Sequence, residues 1–394
     1  MRILYHHRTM GRGAEGVHIN SIVKAFEKLG HHVTVISPPG VDPLDTVGQC
    51  PLDKTKEETK GINSLWKYVS KKTPQIVFEF LEIGYNLLSV LKIRNEIKNN
   101  HFHFIYERNA YFLFAGALIS KFYGIPLVVE ANEVVGIKRA RPLIMKALAH
   151  LMEKATFHTA ASIFTVSSYL KTRILEVNDS YNKVYITPNA IDPEEYIQKT
   201  RRNEIRQKYG IDNNIVIGFA GWFDWWDRLD LLIDVQKEIV DKGYDNVSAL
   251  IIGDGPMTSD LKDQVKRLGL GEKIIFTGAV VRQDVIHYID AMDIGVFSHS
   301  NQFGSPVVLF EMMGLGKTIV APKLKPITDV IEHDKTGIIF SPLDKTSLIE
   351  SILSLVDNPE KIYLIGNSAR KMVLKYHSWE GNAIKIIDSL KDKF

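Results

Sequence analysis

Cysteine is all but missing from the 394 residues: Cys50 stands alone. One thiol excludes an internal disulfide and fits a reducing compartment, so a cytoplasmic chain is expected. Long apolar runs are missing too. The longest, Ala110–Ser120, stops at Lys121 and is too short to cross a bilayer. No secretory leader is expected, because Arg2–His7 reads as a strand that passes directly into a polar, glycine-rich loop. Metal-ligating patterns are also missing. The 13 histidines come as adjacent pairs (His6/His7, His31/His32) or singly, with no His-Glu-x-x-His and no Cys/His cluster, so no metal is expected. No Gly-x-Ser-x-Gly elbow offers a nucleophile.

What is present is the composition of a globular enzyme, 45% apolar and 24% charged. The length exceeds one ordinary core and predicts two domains of about 190 residues each. The net charge of +3 hides an asymmetry. Residues 1–190 hold 24 Lys and Arg against 16 Asp and Glu, and the rest hold 25 against 30. A basic first half suggests a surface turned toward something anionic. Lys54–Lys72 adds six lysines with Leu65, Trp66, Tyr68 and Val69 between them. That segment suits a solvated excursion or the anionic face of a membrane. Nothing in the pattern points to nucleic acid.

Short strands alternate with helical stretches through both halves, which predicts parallel sheets covered on both faces. In the first half the strands are Arg2–His7, His32–Ser37, Phe104–Glu107, Pro126–Glu130, Ser162–Val166 and Lys183–Ile186. Helices are expected over Gly16–Leu29, Phe80–Lys98 and Tyr111–Phe122, with an apolar stripe from Leu143 to Ala155 packed on the sheet. Gly11, Gly13 and Gly16 form a literal Gly-x-Gly-x-x-Gly after the first strand. The next strand ends in Ser37-Pro38-Pro39 without the carboxylate that a dinucleotide ribose needs, which argues against NAD or FAD. Glu130, Asn132 and Glu133 end the fourth strand, where open α/β sheets take ligands. The triplet Lys138, Arg139 and Arg141 is either a solvated helix entry or an acceptor or membrane contact. Thr187–Asp192 reads as a hinge, and six further strands follow: Ile215–Ala220, Val247–Ile252, Lys273–Thr277, Ile294–Phe297, Thr318–Ala321 and Gly337–Phe340.

Within the second half, Phe303–Thr318 carries the most chemistry. Gly304, Ser305 and Pro306 lead into a short helix from Val307 that holds Glu311. Free N–H groups at a helix start suit a phosphate, and a carboxylate more than a turn further on could accept from two adjacent sugar hydroxyls. An ordinary loop–helix–strand connection with a solvent-facing Glu311 explains the pattern equally well. Gly314–Thr318 imitates the tail of a Walker A loop. Position 311 lacks the required glycine and Gly316-Lys317-Thr318 precedes a strand, so a P-loop is rejected.

Taken together, Gly11–Glu15, Thr187–Asp192, Gly221 with Asp230-Leu231-Leu232, Ile252–Pro256, Phe276–Gly278, Gly304–Gly316, Thr336–Phe340 and Ser378-Trp379 resemble the retaining glycosyltransferases of family 4. The resemblance covers nearly the whole chain. It implies the GT-B fold: α/β, two Rossmann-like doubly wound domains facing each other across a cleft. The first would be an acceptor-binding domain over 1–190 and the second a nucleotide-sugar domain over 191–374, with a helix over 375–394 crossing back. It further implies a donor nucleoside-diphosphate sugar, no bound cofactor and a glycan acceptor. The basic first domain suggests a polyprenyl-linked acceptor and peripheral contact at the inner face of a membrane, with a soluble acceptor left open. Glu311 would hold the ribose. Gly221, Gly253, Asp254, Gly278, Gly304, Ser305, Pro306 and Val307 would line the donor site, with Gly11, Gly13, Ala14 and Arg108 contributed by the first domain. Glu15, Asn132 and Glu133 would stand near sugar and acceptor.

Three departures matter. The family's glutamate eight residues before Glu311 is replaced by Phe303. Its Arg and Lys after Gly221 are replaced by Trp222 and Asp227, leaving Arg228 as the nearest cation for a diphosphate. His at the position of Asn132 is missing as well. Trp222, Trp225 and Trp226 either stack on base or sugar or, more simply, pack under their loop. A nucleotide-sugar 2-epimerase and a non-catalytic nucleotide-sugar binder are the alternatives.

Overall fold

The computed structural model describes residues 1–11, 13–42, 44, 74–137, 142–177, 183–196 and 201–393. Cys50, the basic stretch Lys54–Lys72 and the triplet Lys138, Arg139 and Arg141 lie outside them. The described chain forms two compact units, one from residues up to Pro188 together with Trp379 onward, the other from Asn189–Ser378.

Unit 1 is built on β1 (Arg2–His6), β2 (His32–Ile36), β3 (Phe104–Arg108), β4 (Leu127–Ala131), β5 (Ser162–Thr165) and β6 (Val184–Ile186). All pairs are parallel, in the order β2-β1-β3-β4-β5-β6. β3, β4 and β5 are buried along their whole length, as expected of strands covered on both faces. The covering helices are α1 (Ala14–Lys28), α2 (Gln75–Asn99), α3 (Ala115–Tyr123), α4 (Lys146–Thr159) and α5 (Ser168–Val177). The C-terminal helix, named α14 below, also packs on α1. Of the apolar stripe predicted to cover the sheet, Leu143 is buried and Leu148 and Met152 are half-buried, whereas Ala147, Ala155 and Leu151 (64%) are exposed; Ala149 and Phe157, outside the stripe, take the buried face.

Unit 2 holds β7 (Ile215–Trp222), β8 (Val247–Asp254), β9 (Ile274–Gly278), β10 (Ile294–Val296), β11 (Thr318–Pro322) and β12 (Ile338–Phe340). Its parallel order is β12-β11-β10-β7-β8-β9. The helices are α6 (Arg202–Tyr209), α7 (Leu229–Asp241), α8 (Thr258–Arg267), α9 (Arg282–Asp290), α10 (Val307–Gly314), α11 (Lys325–Thr328), α12 (Lys345–Val356) and α13 (Pro359–Tyr376). One continuous core runs through this unit, from Val216 and Leu250 to Phe310, Leu355 and Val373. The last helix, α14 (Trp379–Asp388), belongs to unit 1, where Trp379 sets its ring against His18 of α1 at 4.9 Å.

In each sheet the strand order reverses once, between β1 and β3 in unit 1 and between β7 and β10 in unit 2. Neighbouring loops leave in opposite directions there and open a crevice beyond the strand C-termini. Those two points position everything below.

Candidate functional site

At the unit 1 reversal, the loop after β1 is held tight by glycine. Gly11 has φ +64°, and a Cβ on Gly16 would lie 2.1 Å from the Gly11 carbonyl oxygen. Only hydrogen at 16 lets α1 start against its own loop. Gly13 and Ala14 are exposed at that start, and Glu15, half-buried, folds its carboxylate back over Gly13. Arg108 and Asn132 do not stand open to solvent as separate ligand groups. Both point at Glu130 at the end of β4, and both donate to its Oε1. Tyr106 donates to Glu130 Oε2 at 2.8 Å and Tyr5 at 3.5 Å, while His18 Nε2 lies 3.0 Å from the same oxygen. Burial alone would raise the Glu130 carboxyl; the His18 imidazole and Arg108 guanidinium outweigh it and hold the group far below the usual carboxylate range.

Near this hub, burial pushes the His7 imidazole down to about 3, so it is neutral where it meets Ser37 at 2.8 Å. Glu133 is half-buried, and its carbonyl accepts from Asn109 at 3.1 Å. Beside it a cavity of about 390 Å³ opens between Val134–Gly136 and α4. Glu153 lines it, accepting from Val135 N–H at 3.0 Å, and burial pushes its carboxyl up to about 7.

At the unit 2 reversal, β7 and β8 end in contact. A Cβ on Gly253 (φ +125°) would lie 1.9 Å from the Gly221 carbonyl oxygen, so backbone packing by itself demands glycine there. Asp254 accepts from Gly255 N–H and Thr258 hydroxyl at 2.8 and 2.5 Å, which pins the turn into α8. Gly278, with open space around its Cα, ends β9. The loop after β7 departs from the packed reading of its tryptophans. Phe223 is the buried residue, against Phe219 and Phe276, whereas Trp222 and Trp225 are about half exposed, 54% and 51%. Phe223 fills the space beneath the loop, and Trp222 and Trp225 stay half exposed, Trp225 edge-on to the half-buried Trp226 at 5.4 Å.

Arg228 also differs from its expected role as a spare cation. It sits at φ +50° before α7 and forks onto Asp230, with both carboxylate oxygens at 2.9 Å from guanidinium nitrogens. Just before it, burial and Asp224 push the Asp227 carboxyl up to about 7. His299, after β10, ties the two loops together: its N–H donates to the Asp227 carbonyl and its Nδ1 meets the Trp226 carbonyl.

The helix start sits on the same side. Asn301 Oδ1 accepts from Phe303 N–H and Gly304 N–H, and Asn189 donates to Ser305 Oγ from its backbone at 3.1 Å. Pro306 precedes Val307 without a side-chain cap, so the first N–H groups of α10 have no intrahelical partner. Glu311 is buried, only 4% exposed, which excludes the solvent-facing alternative. Its Oε1 closes on Arg282 Nη2 as an ion pair yet is aligned for no hydrogen bond. The Glu311 charge raises the Arg282 guanidinium well above its usual range, and burial raises the neighbouring Tyr196 phenol. Sequence reading misses Arg282 and Tyr196, because they come from other elements. Lys317, the Walker-like lysine, is buried on Asp290 at 2.5 Å. Among the described residues no group of three or more His, Cys, Asp and Glu could hold a metal ion.

Two family models match consecutive parts of the chain: "Glycosyltransferase Family 4" over residues 15–195 and "Glycosyl transferases group 1" over 201–372. The chain has the GT-B fold and is similar to glycosyltransferases over both of its halves. Among curated relatives it is 26% identical to an uncharacterized glycosyltransferase of Methanocaldococcus jannaschii, over 61% of this chain and 63% of that protein. It is 28% identical to the capsular polysaccharide biosynthesis glycosyltransferase CapM of Staphylococcus aureus, over 57% and 60%. It thus spans less than two thirds of the length of these relatives. Among solved structures, Anabaena HepE in complex with UDP superposes with a TM-score of 0.73 at 18% identity, over the whole of both chains. The GT-B fold is common to them. The group 1 match contains the Glu311 site, and the family 4 match contains the Glu130 hub.

Proposed function

We propose that this protein moves a sugar, with retention of anomeric configuration, from a nucleoside-diphosphate sugar to a hydroxyl of a glycan or lipid-linked glycan. One observation carries the reading. Glu311 is buried beyond an uncapped helix start at the reversal of sheet order, with one oxygen paired to Arg282 but aligned for no hydrogen bond. A structural carboxylate is normally saturated; this one has capacity left for a ribose diol. The Val307 end of α10 would receive the diphosphate, with Gly304, Ser305 and Pro306 shaping the approach. Trp222 or Trp225 would offer a ring to base or sugar.

In the reaction the bond from the anomeric carbon to the diphosphate breaks, and the bond to the acceptor oxygen forms on the same face through an oxocarbenium-like state. The departing phosphate oxygen takes the acceptor proton, so no protein nucleophile is needed. What the chain must supply is stabilised phosphate charge and an oriented acceptor. Glu15, Asn132 and Glu133 are the unit 1 groups proposed nearest the acceptor, and neither metal nor bound cofactor takes part. Asn132 acts there only if it leaves Glu130.

The test is thermal stability with UDP, GDP, ADP and their sugars, on the wild type and Glu311→Gln. A ligand at a hundred times its dissociation constant adds roughly 2.7 kcal/mol. One nucleotide should stabilise the wild type and lose its effect in the variant, with turnover insensitive to EDTA. No stabilisation by any of them sinks the donor assignment. Binding without sugar transfer or hydrolysis favours the non-catalytic alternative, for which the departures at Trp222, Asp227 and Phe303 speak.

A further inference from the structure

The cavity beside Glu133 has walls of two kinds. Its floor is apolar: Val134 from the turn after β4, Phe157 of α4 and Ile174 of α5 line it, and all three are buried. Its rim is basic. Helix α4 sends Lys146, His150 and Lys154 to it at intervals of four residues, hence from one face, and both lysines are exposed. Helix α5 adds Arg173. Its guanidinium lies over the turn at Gly136, which takes φ +95° and where a Cβ would come 3.4 Å from Arg173 Nη2. The same arginine meets Glu176 at 2.5 Å in a pair that stays well exposed.

Among the described residues lining the cavity, Glu153 is the one carboxylate, and it is spent on the protein. Val135 N–H lies 3.2 and 3.0 Å from its two oxygens. Burial pushes the carboxyl up to about 7, and the Glu133 charge adds to the rise. Lysine or arginine heads held against Glu153 would have lowered it instead. The cations at the rim are therefore not placed to balance this carboxylate.

An apolar hollow with a basic rim is complementary to a ring that carries an anion. The C–H faces of the ring meet Phe157 and Ile174, and the charge meets the lysines and the arginine fork. At about 390 Å³ the cavity stands at the small end of ligand sites, with room for about one or two sugar rings. It begins at Val134, next to Glu133, one of the groups placed nearest the acceptor. We propose that this cavity is an acceptor subsite for a sugar ring bearing a carboxylate or a phosphate ester, so that the acceptor is an acidic glycan. The inference rests on the reading of unit 1 as the acceptor side, and it is tested without donor or turnover.

The experiment is a saturation-transfer NMR titration of the full chain with three sugars that differ only at C6. They are methyl α-glucoside, its 6-phosphate and methyl α-glucuronide. One anionic probe should bind about tenfold tighter than the neutral glucoside, and whichever leads identifies the acidic group as carboxylate or phosphate. Lys146→Gln with Lys154→Gln should remove that preference while the neutral glucoside binds as before. Ala147→Trp, at an exposed position that lines the cavity, narrows it without changing a charge and should lower uptake of all three about tenfold. Glu311→Gln, which tests the donor reading, should leave uptake unchanged, so each reading fails on its own measurement. Equal binding of charged and neutral probes by the wild type overturns the proposal. So does a preference that survives the lysine variant, whose two exposed positions keep the test open should the tryptophan variant not fold. An anionic probe that the folded Ala147→Trp protein still takes up, or that Glu311→Gln loses, sits elsewhere and overturns it as well.

Discussion

Each unit buries a glutamate against an arginine near the point where its sheet order reverses, and these two pairs, Glu130 with Arg108 and Glu311 with Arg282, differ in how fully they are satisfied. Glu130 in unit 1 is ringed by Arg108, His18, Tyr106, Tyr5 and Asn132, donated from β3, α1, β1 and the turn after β4. Glu311 in unit 2 has Arg282 in an ion pair and Tyr196 nearby. A carboxylate with every lone pair taken is a structural tie: replacing one partner by a ligand would cost a hydrogen bond for each one gained. A carboxylate with capacity left can accept from a ligand at no such loss. Burial and charge look alike at the two positions, and the count of donors separates them.

The comparison breaks most visibly at Glu130. Glu130→Gln leaves Arg108 buried without its counter-charge and should cost about 3–5 kcal/mol, read by chemical denaturation. Glu311→Gln should cost far less, because Arg282 keeps part of its guanidinium in solvent. The acid limb carries the same distinction. The Glu130 carboxyl lies below its ordinary 4.5 in the folded state. Its stabilisation is therefore complete above that value and fades as pH falls below it. Wild-type stability should fall on acidification below about pH 4.5, and the Gln variant should lack that part of the slope. Equal losses for the two variants would end the division into tie and site.

The twelve strands were readable because buried parallel strands are short apolar runs, bounded here by glycine, proline and polar residues. Helix α3 was readable only in part. Its apolar pattern begins at Tyr111, but Tyr111 spends its hydroxyl on the Val134 carbonyl, Phe112 turns to φ +63°, and Asn86 caps the chain at Phe114 and Ala115. Tertiary contacts hold those residues as a buried loop, and periodicity is blind to that. Glu311 stood out through its loop and helix. Arg282 did not, because nothing in spacing links the first residue of α9 to a carboxylate in the middle of α10. Arg108 and Asn132 had the right place at the strand ends, but the donors that saturate Glu130 come from elements far apart in sequence.

A smaller effect sharpens the unit 2 side. Asp227 stands where the resembling family has a lysine, and burial with Asp224 beside it raises its carboxyl from 3.8 to about 7. A raised carboxyl is neutral below that pH and charged above it, so its own contribution to stability is lost as pH rises through this window. An arriving diphosphate would meet a neutral group at pH 6 and an anion at pH 8. Affinity for the nucleotide sugar, by calorimetry, should fall about five- to tenfold between those values. Asp227→Asn should bind equally at both. A wild-type affinity that does not change with pH would place Asp227 away from the phosphates.

The smallest expected effect concerns another arginine–carboxylate pair, Arg228 with Asp230, which is more exposed than the Glu130 and Glu311 pairs. An exposed pair is worth little to the fold, about 0–1 kcal/mol, and Arg228 bears a left-handed backbone that glycine would adopt without strain. Arg228→Gly should therefore leave the melting temperature nearly unchanged. If the guanidinium can turn from Asp230 to a diphosphate, the variant should weaken nucleotide-sugar binding about threefold, in line with one solvated phosphate contact. Asp230→Asn, which frees the same guanidinium, should tighten binding by a similar factor. Opposite signs in the two variants make Asp230 a competitor of the donor. If neither variant moves the affinity, the fork onto Asp230 only fastens the start of α7, and the diphosphate rests on the N–H groups of α10 alone.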